Sequence, residues 1–325
     1  MSLNVSHMPD RAGVLRAAEK VSAILPPTPL LPLEVDGRTI WCKAECLQPV
    51  GAFKIRGAWH RLNELDEAER AKGVVGVSSG NHAQGVAWAA RRLGMAATIV
   101  MPVDAPQVKL DATRALGAEV MLYDRPGGEN RDQVAAELIL ETGATLVHAF
   151  ADAWVIEGQG STGIEIDAQL QALDGGAADL IVCPCGGGGL SAGLALACPE
   201  ATIVPVEPDG WDTVRRSLAA GELVPVGPDA PPTPCDSLQP PVTHALNLEV
   251  LRGHIPYVAT VTPAEVRAAQ RLAFSKLRLV VEPGGAAALA AVLAGKVEIQ
   301  PRTVVVLSGG NTDPAAYAQV LSTVD

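Results

Sequence analysis

Short runs of β-branched and other apolar residues alternate along the chain with Ala-rich segments whose apolar positions recur at helical spacing. Val74–Val77 reads as a buried strand, followed by a helix from about His82 to Leu93. Ala97–Met101 and Pro106–Leu116 repeat the pair, as do Glu119–Leu122 and Asn130–Thr142; Thr145–Val147 closes the series. Strands separated by helices imply right-handed crossovers and a parallel sheet. A second series begins near Val155, with strands at Leu180–Val182, Thr202–Val206 and Thr303–Leu307. Its helices are Leu190–Ala197, Pro263–Lys276 and Gly284–Leu293. Two sheets with a cleft between them are expected. The proline-rich Pro225–Pro241 is read as an ordered loop or arm, or else a surface linker.

Composition narrows the class. Of 325 residues, 48 % are hydrophobic but only 3 % aromatic, so the core is built from Ala, Val, Leu and Ile, which suits helices packed closely on a parallel sheet. With 25 Lys+Arg against 36 Asp+Glu, the net charge of −11 argues against a nucleic-acid binder that neutralises phosphates. No apolar run approaches the roughly 18 residues of a membrane span. Met1–Asp10 shows no secretory signal. Six cysteines without a C-x-x-C pair are too sparse for a disulfide scaffold, and a reducing cytoplasm is the expected location.

Four motifs carry candidate chemistry. In Gly51-Ala52-Phe53-Lys54-Ile55-Arg56-Gly57-Ala58, Lys54 stands at the start of a helix. The helix dipole disfavours a cation there and so favours the neutral, nucleophilic amine; a solvated helix lysine is the plainer reading. Ser78-Ser79-Gly80-Asn81-His82 joins a strand to a helix, where first-turn amides make a seat for a carboxylate, or Ser79 or Asn81 merely caps the helix. Cys185-Gly186-Gly187-Gly188-Gly189-Leu190-Ser191 also lies between strand and helix. Consecutive glycines there let main-chain N–H groups close around a phosphate, although the motif is neither a Walker loop nor a strict G-x-G-x-x-G. Leu307-Ser308-Gly309-Gly310-Asn311 ends a late strand and places a hydroxyl at the sheet edge where ligands bind in open α/β sheets.

Together these are the parts needed to hold pyridoxal 5′-phosphate (PLP) and an amino acid. The chain resembles the fold-type II PLP enzymes, in particular the serine/threonine dehydratase and serine racemase group. The likeness runs from Thr28-Pro29-Leu30 through Gly158-Gln159-Gly160 to Ser308-Gly309-Gly310-Asn311. It implies a two-domain α/β fold, tryptophan synthase β-like, with parallel sheets flanked by helices and the active site in the interdomain cleft. Residues 1–69 and 151–325 would form the large PLP-binding domain and 70–150 the small one. Lys54 would carry PLP as an imine, with Phe53 against the cofactor. Asn81 would bond the ring hydroxyl, and Gly186, Gly187, Gly188, Gly189 and Leu190 the phosphate. Ser308 would face the pyridine nitrogen and leave it unprotonated, which favours β-elimination over transamination. Ser79, Gly80, Asn81 and His82 would orient the substrate carboxylate.

The implied activity is an ammonia-lyase that converts L-threonine or L-serine to 2-oxobutanoate or pyruvate plus ammonia. Serine racemase and 3-hydroxyaspartate dehydratase are the alternatives. Ser79, where dehydratases commonly have alanine, could return a proton to Cα from the face opposite Lys54. Arg131 could pair with a second substrate carboxylate, or it is a solvated helix arginine. Ala52 and Asp236-Ser237 depart from the family pattern, and Ser237 adds a side chain near the cofactor. Relatives often bind a divalent cation beside the strand ending at Glu207, but Thr213 stands where they carry a second carboxylate; Mg or Ca at Glu207 is therefore an open expectation. A homodimer is implied. The chain ends at Asp325 soon after the last motif, so inhibition by isoleucine is not expected.

Overall fold

The computed structural model describes residues 7–78, 80–105 and 107–322. In chain order, α1 (Arg11–Ser22) precedes the strands β1 (Leu30–Val35) and β2 (Arg38–Lys43), and α2 (Lys54–Asn63) and α3 (Glu67–Lys72) follow. Then come β3 (Val74–Val77), α4 (Asn81–Leu93), β4 (Ala97–Pro102), α5 (Gln107–Ala115), β5 (Glu119–Tyr123), α6 (Arg131–Thr142) and β6 (Thr145–Val147). The remainder is α7 (Ala153–Asp174), β7 (Leu180–Pro184), α8 (Gly189–Ala197), β8 (Thr202–Pro208), α9 (Thr213–Ala220), α10 (Ala245–Leu251), β9 (Ala259–Val261), α11 (Pro263–Leu272), α12 (Pro283–Leu293), β10 (Thr303–Val306) and α13 (Pro314–Ser322).

Two sheets result. The four strands between residues 74 and 147 pair in parallel in the order β5-β4-β3-β6. The six-stranded sheet runs β1-β2-β10-β7-β8-β9, parallel except for the antiparallel β1–β2 hairpin at its edge. Both strand series expected from the periodicity are present. The helix read over Pro263–Lys276 is α-helical only to Leu272 and continues as one π turn over Ala273–Leu277. Pro225–Pro241 is an ordered arm with one short turn at Asp236–Leu238, closed by the Val226 N–H to the Pro241 carbonyl at 2.7 Å.

The long helix α7 is the platform for the site. Two other helices meet it through glycines. A Cβ on Gly158 would stand 2.6 Å from the Gly57 Cα, and one on Gly193 would stand 2.5 Å from the Gly160 amide. The backbones of α2 and α8 therefore reach α7 with no side chain between them. One rigid element fixes the start of α2 relative to the start of α8. No helix among the described residues is long and apolar enough to cross a membrane.

Candidate active site

Lys54 is the first residue of α2, and Phe53 caps that helix without a side-chain bond. Lys54 Nζ donates to the Ala149 carbonyl at 2.7 Å and lies 5.1 Å from the centre of the Phe53 ring. Burial lowers the amine's pKa to about 8. The positive end of the α2 dipole acts in the same direction. Two residues on, the buried Arg56 ties the helix down. It donates Nε and Nη2 to Glu45 at 2.8 Å each, and Nη1 and Nη2 to Glu165 at 2.7 Å each. Lys43 joins Glu165 at 2.8 Å. Burial alone would raise the Glu45 pKa, but Arg56 and Lys43 outweigh it and hold it at about 2.

Across the cavity the chain turns from β7 into α8 through Gly186–Gly189. Gly188 caps α8 at φ +92°, a left-handed conformation that glycine adopts without strain. Thr243 Oγ1 donates to the Gly187 carbonyl at 2.9 Å and so holds that acceptor. The first amides of α8 have no partners within the helix. A Cβ on Gly187 would come within 2.5 Å of three atoms of the Phe150 ring. The turn is therefore a cradle of N–H donors that admits no side chain, which fits a phosphate.

The third wall is the start of α4. Gly80 is its N-cap, and the Gly80 N–H donates to Ser78 Oγ at 3.2 Å. Burial first, then Lys54 and His148, push the His82 pKa down to about 3. The Val147 carbonyl is only an acceptor, so His82 Nε2–H donates to it at 2.8 Å. The His82 main-chain amide lies in the first turn of α4, which no side chain caps. Asn81 Nδ2 donates to Glu282 Oε1 at 2.6 Å, and Asn81 Oδ1 accepts from Asn311 Nδ2 at 2.8 Å. Ser308, just past β10, is buried.

Phe53, Lys54, Gly80, Asn81, His82, Gly186, Gly187, Gly188, Gly189, Leu190 and Ser308 all line one cavity of about 410 Å³. Ser79 lies outside the described residues. Residues without a predicted role line the same cavity: His148, His244 and Glu282. His148 Nδ1 accepts the amides of Phe150 and Ala151, and His244 Nδ1 accepts that of Leu246, so each ring keeps its proton on Nε2. Burial, followed by His244, Lys54 and Arg131, lowers the His148 pKa to about 4. Burial, followed by Asp236, raises that of Glu282 to about 7. Sequence hides Glu282, because an acid before Pro283 reads as an ordinary helix start. Arg131 is at the mouth, 45 % exposed, with Nε 3.5 Å from Asp132.

Glu207 is elsewhere. Its two carboxylate oxygens accept the amides of Val214 and Arg215 at 2.9 Å each, holding the first turn of α9. Asp212, beside it, pairs with Arg215 and Arg216. Among the described residues no three His, Cys, Asp or Glu side chains are grouped to hold a metal ion. A hard cation needs several oxygen ligands. The cation expected at Glu207 does not fit this donor set, because two N–H groups already take the carboxylate and two guanidiniums crowd its neighbour.

An amine with a lowered pKa and a phosphate cradle, lining one cavity of about 410 Å³, suit a ligand that carries an aldehyde and a phosphate, as PLP does. Comparison with known proteins agrees. A model of the pyridoxal-phosphate dependent enzyme family matches residues 21–310. The chain is 37 % identical to an L-threo-3-hydroxyaspartate ammonia-lyase from Pseudomonas sp, over 95 % of this chain and 97 % of that one. It is 35 % identical to a serine racemase from Arabidopsis thaliana, over 94 % and 93 % of the two chains. The crystal structure of a threonine deaminase from T.th. superposes with a TM-score of 0.86 at 39 % identity, covering 94 % of this chain and 99 % of that one. The chain therefore belongs to the pyridoxal-phosphate dependent enzymes of fold type II, in the group of ammonia-lyases and serine racemases.

Proposed function

We propose that this protein is an ammonia-lyase that eliminates the β-hydroxyl of L-threonine or L-serine and yields the 2-oxo acid and ammonia. The observation that supports elimination over transamination is Ser308, which lines the cavity. By the family resemblance its neutral hydroxyl, rather than a carboxylate, would face the pyridine nitrogen. When bound, PLP supplies an electron sink for charge at the substrate's Cα.

The chain's own groups have separable tasks. The amides of Gly186–Leu190 hold the phosphate, and those opening α4 at Asn81 and His82 hold the substrate carboxylate. Lys54, neutral above about pH 8 and partly so below it, takes the Cα proton as general base. Burial lowers the pKa of the neighbouring His82 to about 3, so its imidazole is too weak a base to compete for that proton. We take residues 70–150 as a smaller unit that closes over the substrate against the larger unit of 1–69 and 151–325. The ion pair between Lys109 of α5 and Asp236 of the arm supports that closure, which would exclude water. We also take the protein to be a cytoplasmic homodimer; six free, buried cysteines suit a reducing compartment.

A second reading is favoured by the distal wall. Arg131, His148 and His244 line the same cavity and carry N–H groups of the kind that would pair with the second carboxylate of 3-hydroxyaspartate. The test is one incubation series of the holoenzyme with L-threonine, L-serine and L-threo-3-hydroxyaspartate, scored for 2-oxo acid, ammonia and D-amino acid. Equimolar 2-oxo acid and ammonia from threonine or serine support the proposal. Turnover confined to hydroxyaspartate moves it to the second reading, and D-serine as the main product contradicts elimination.

A further inference from the structure

The hydrogen bonds around Asn81 can be assigned from one fixed point. The Val50 carbonyl is only an acceptor, and Asn311 Nδ2 donates to it at 2.8 Å. The same Nδ2 also donates to Asn81 Oδ1 at 2.8 Å. Turning the Asn81 amide over would set its N–H groups against those of Asn311, so the orientation follows from the network. Asn81 Nδ2 then meets Glu282 Oε1 at 2.6 Å.

Glu282 divides its carboxyl between that contact and Ser237. It occupies the N-cap position of α12, where an acid would ordinarily accept first-turn amides, yet its side chain makes no capping bond. The carboxyl is turned instead into the cavity wall and is 3 % exposed. Gly309 makes the room, because a Cβ there would collide with Glu282 Oε1 and stand 3.1 Å from Asn81 Nδ2. The Glu282 amide also donates to the Gly309 carbonyl at 3.0 Å, which locks the two segments together. With Oδ1 occupied by Asn311 and one N–H by Glu282, Asn81 has a single N–H left for the cavity.

We propose that Glu282 is a positioning residue: together with Asn311, its carboxyl holds the Asn81 amide so that an N–H, and not the C=O, faces the oxygen on the cofactor ring. This rests on the reading of the cavity as a PLP site. It assigns a function to a buried acid that the elimination itself does not use.

The test compares holoenzyme of the wild type with E282Q, E282A, N81A and the E282A/N81A double variant. The readouts are the dissociation constant for PLP and the absorption maximum of the lysine-bound cofactor; melting temperature serves as the folding control. Gln keeps an acceptor oxygen, so E282Q is expected to bind PLP within about two-fold of the wild type. Loss of one oriented hydrogen bond predicts about three- to ten-fold weaker PLP binding in E282A, with a displaced absorption maximum. E282A is expected to add nothing once Asn81 is gone. Should E282A prove unstable, E282D, whose shorter carboxyl falls short of Asn81, replaces it with the same expectation. A normal yellow holoenzyme from E282A, or an equal loss in the N81A background, overturns the assignment. A wild type that forms no chromophore overturns the cofactor reading beneath it instead.

Discussion

Gly187→Ala is the sharpest perturbation the structure offers. The new Cβ would fall within 2.5 Å of three atoms of the Phe150 ring, whereas carbon atoms pack at about 3.5–4.0 Å. The ring or the turn must therefore move by more than about 1 Å. Neither moves freely. His148 packs edge-on against Phe150 with ring centres 4.7 Å apart, and Asn247 Nδ2 holds the Phe150 carbonyl at 3.0 Å. Thr243 holds the turn from the other side at 2.9 Å. Overpacking of this kind costs about 1–3 kcal/mol. Where that cost falls on the bound form, PLP affinity drops by about ten-fold for each 1.4 kcal/mol. Cofactor titrations of apoenzyme from the wild type, G187A, F150A and the double variant provide the assay. G187A is expected to bind at least about five-fold more weakly. Adding F150A removes the obstruction, so the double variant should bind close to F150A alone. G187A binding as tightly as the wild type, or losses that simply add, would mean that the cradle does tolerate a side chain.

Other expectations follow from the same geometry. The Lys54 pKa, lowered by burial to about 8, lies below that of the unfolded side chain. The rate at which apoenzyme captures PLP should therefore rise with pH through about 8 and then level off, as stopped-flow absorbance will show; a flat profile from about pH 6 to 10 contradicts it. Replacing Arg56 by Met leaves Glu45 buried without its main cation. This should cost about 3–5 kcal/mol in denaturant melts. Adding EDTA, or Mg²⁺ or Ca²⁺, should leave the holoenzyme's melting temperature and metal-free turnover unchanged, since Glu207 is taken by two amides; a rise restored by one cation would show a site after all. Ser79→Ala should remove any D-serine formation while sparing 2-oxo acid formation, read by chiral chromatography.

Much of this architecture is legible in the chain, and the failures have physical causes. β3 to β6 are short apolar runs that alternate with helices, so this series shows clearly in the sequence. The hairpin of β1 and β2 escapes the periodicity, although Asp36 and Gly37, at φ +50° and +73°, form the kind of turn that favours such pairs. The 22-residue α7 is invisible to periodicity because it is packed by α1, α2 and α8, and burial on several sides erases the polar stripe. In the site, the residues that touch the cofactor space through glycine or a helix start are readable from local motifs. Glu282, His148 and His244 are not. Each is brought in from a separate segment, and only the assembled cavity shows that they line it together.

The chemistry of the cavity turns on Lys54 alone carrying the cofactor. Borohydride reduction of the PLP-saturated protein, followed by digestion and tandem mass spectrometry, asks that question directly. One cofactor-bearing peptide is expected, with the modification on Lys54, and none from K54A. A modification on a different lysine, or none at all in cofactor-saturated wild type, would rule out Lys54 as the anchor.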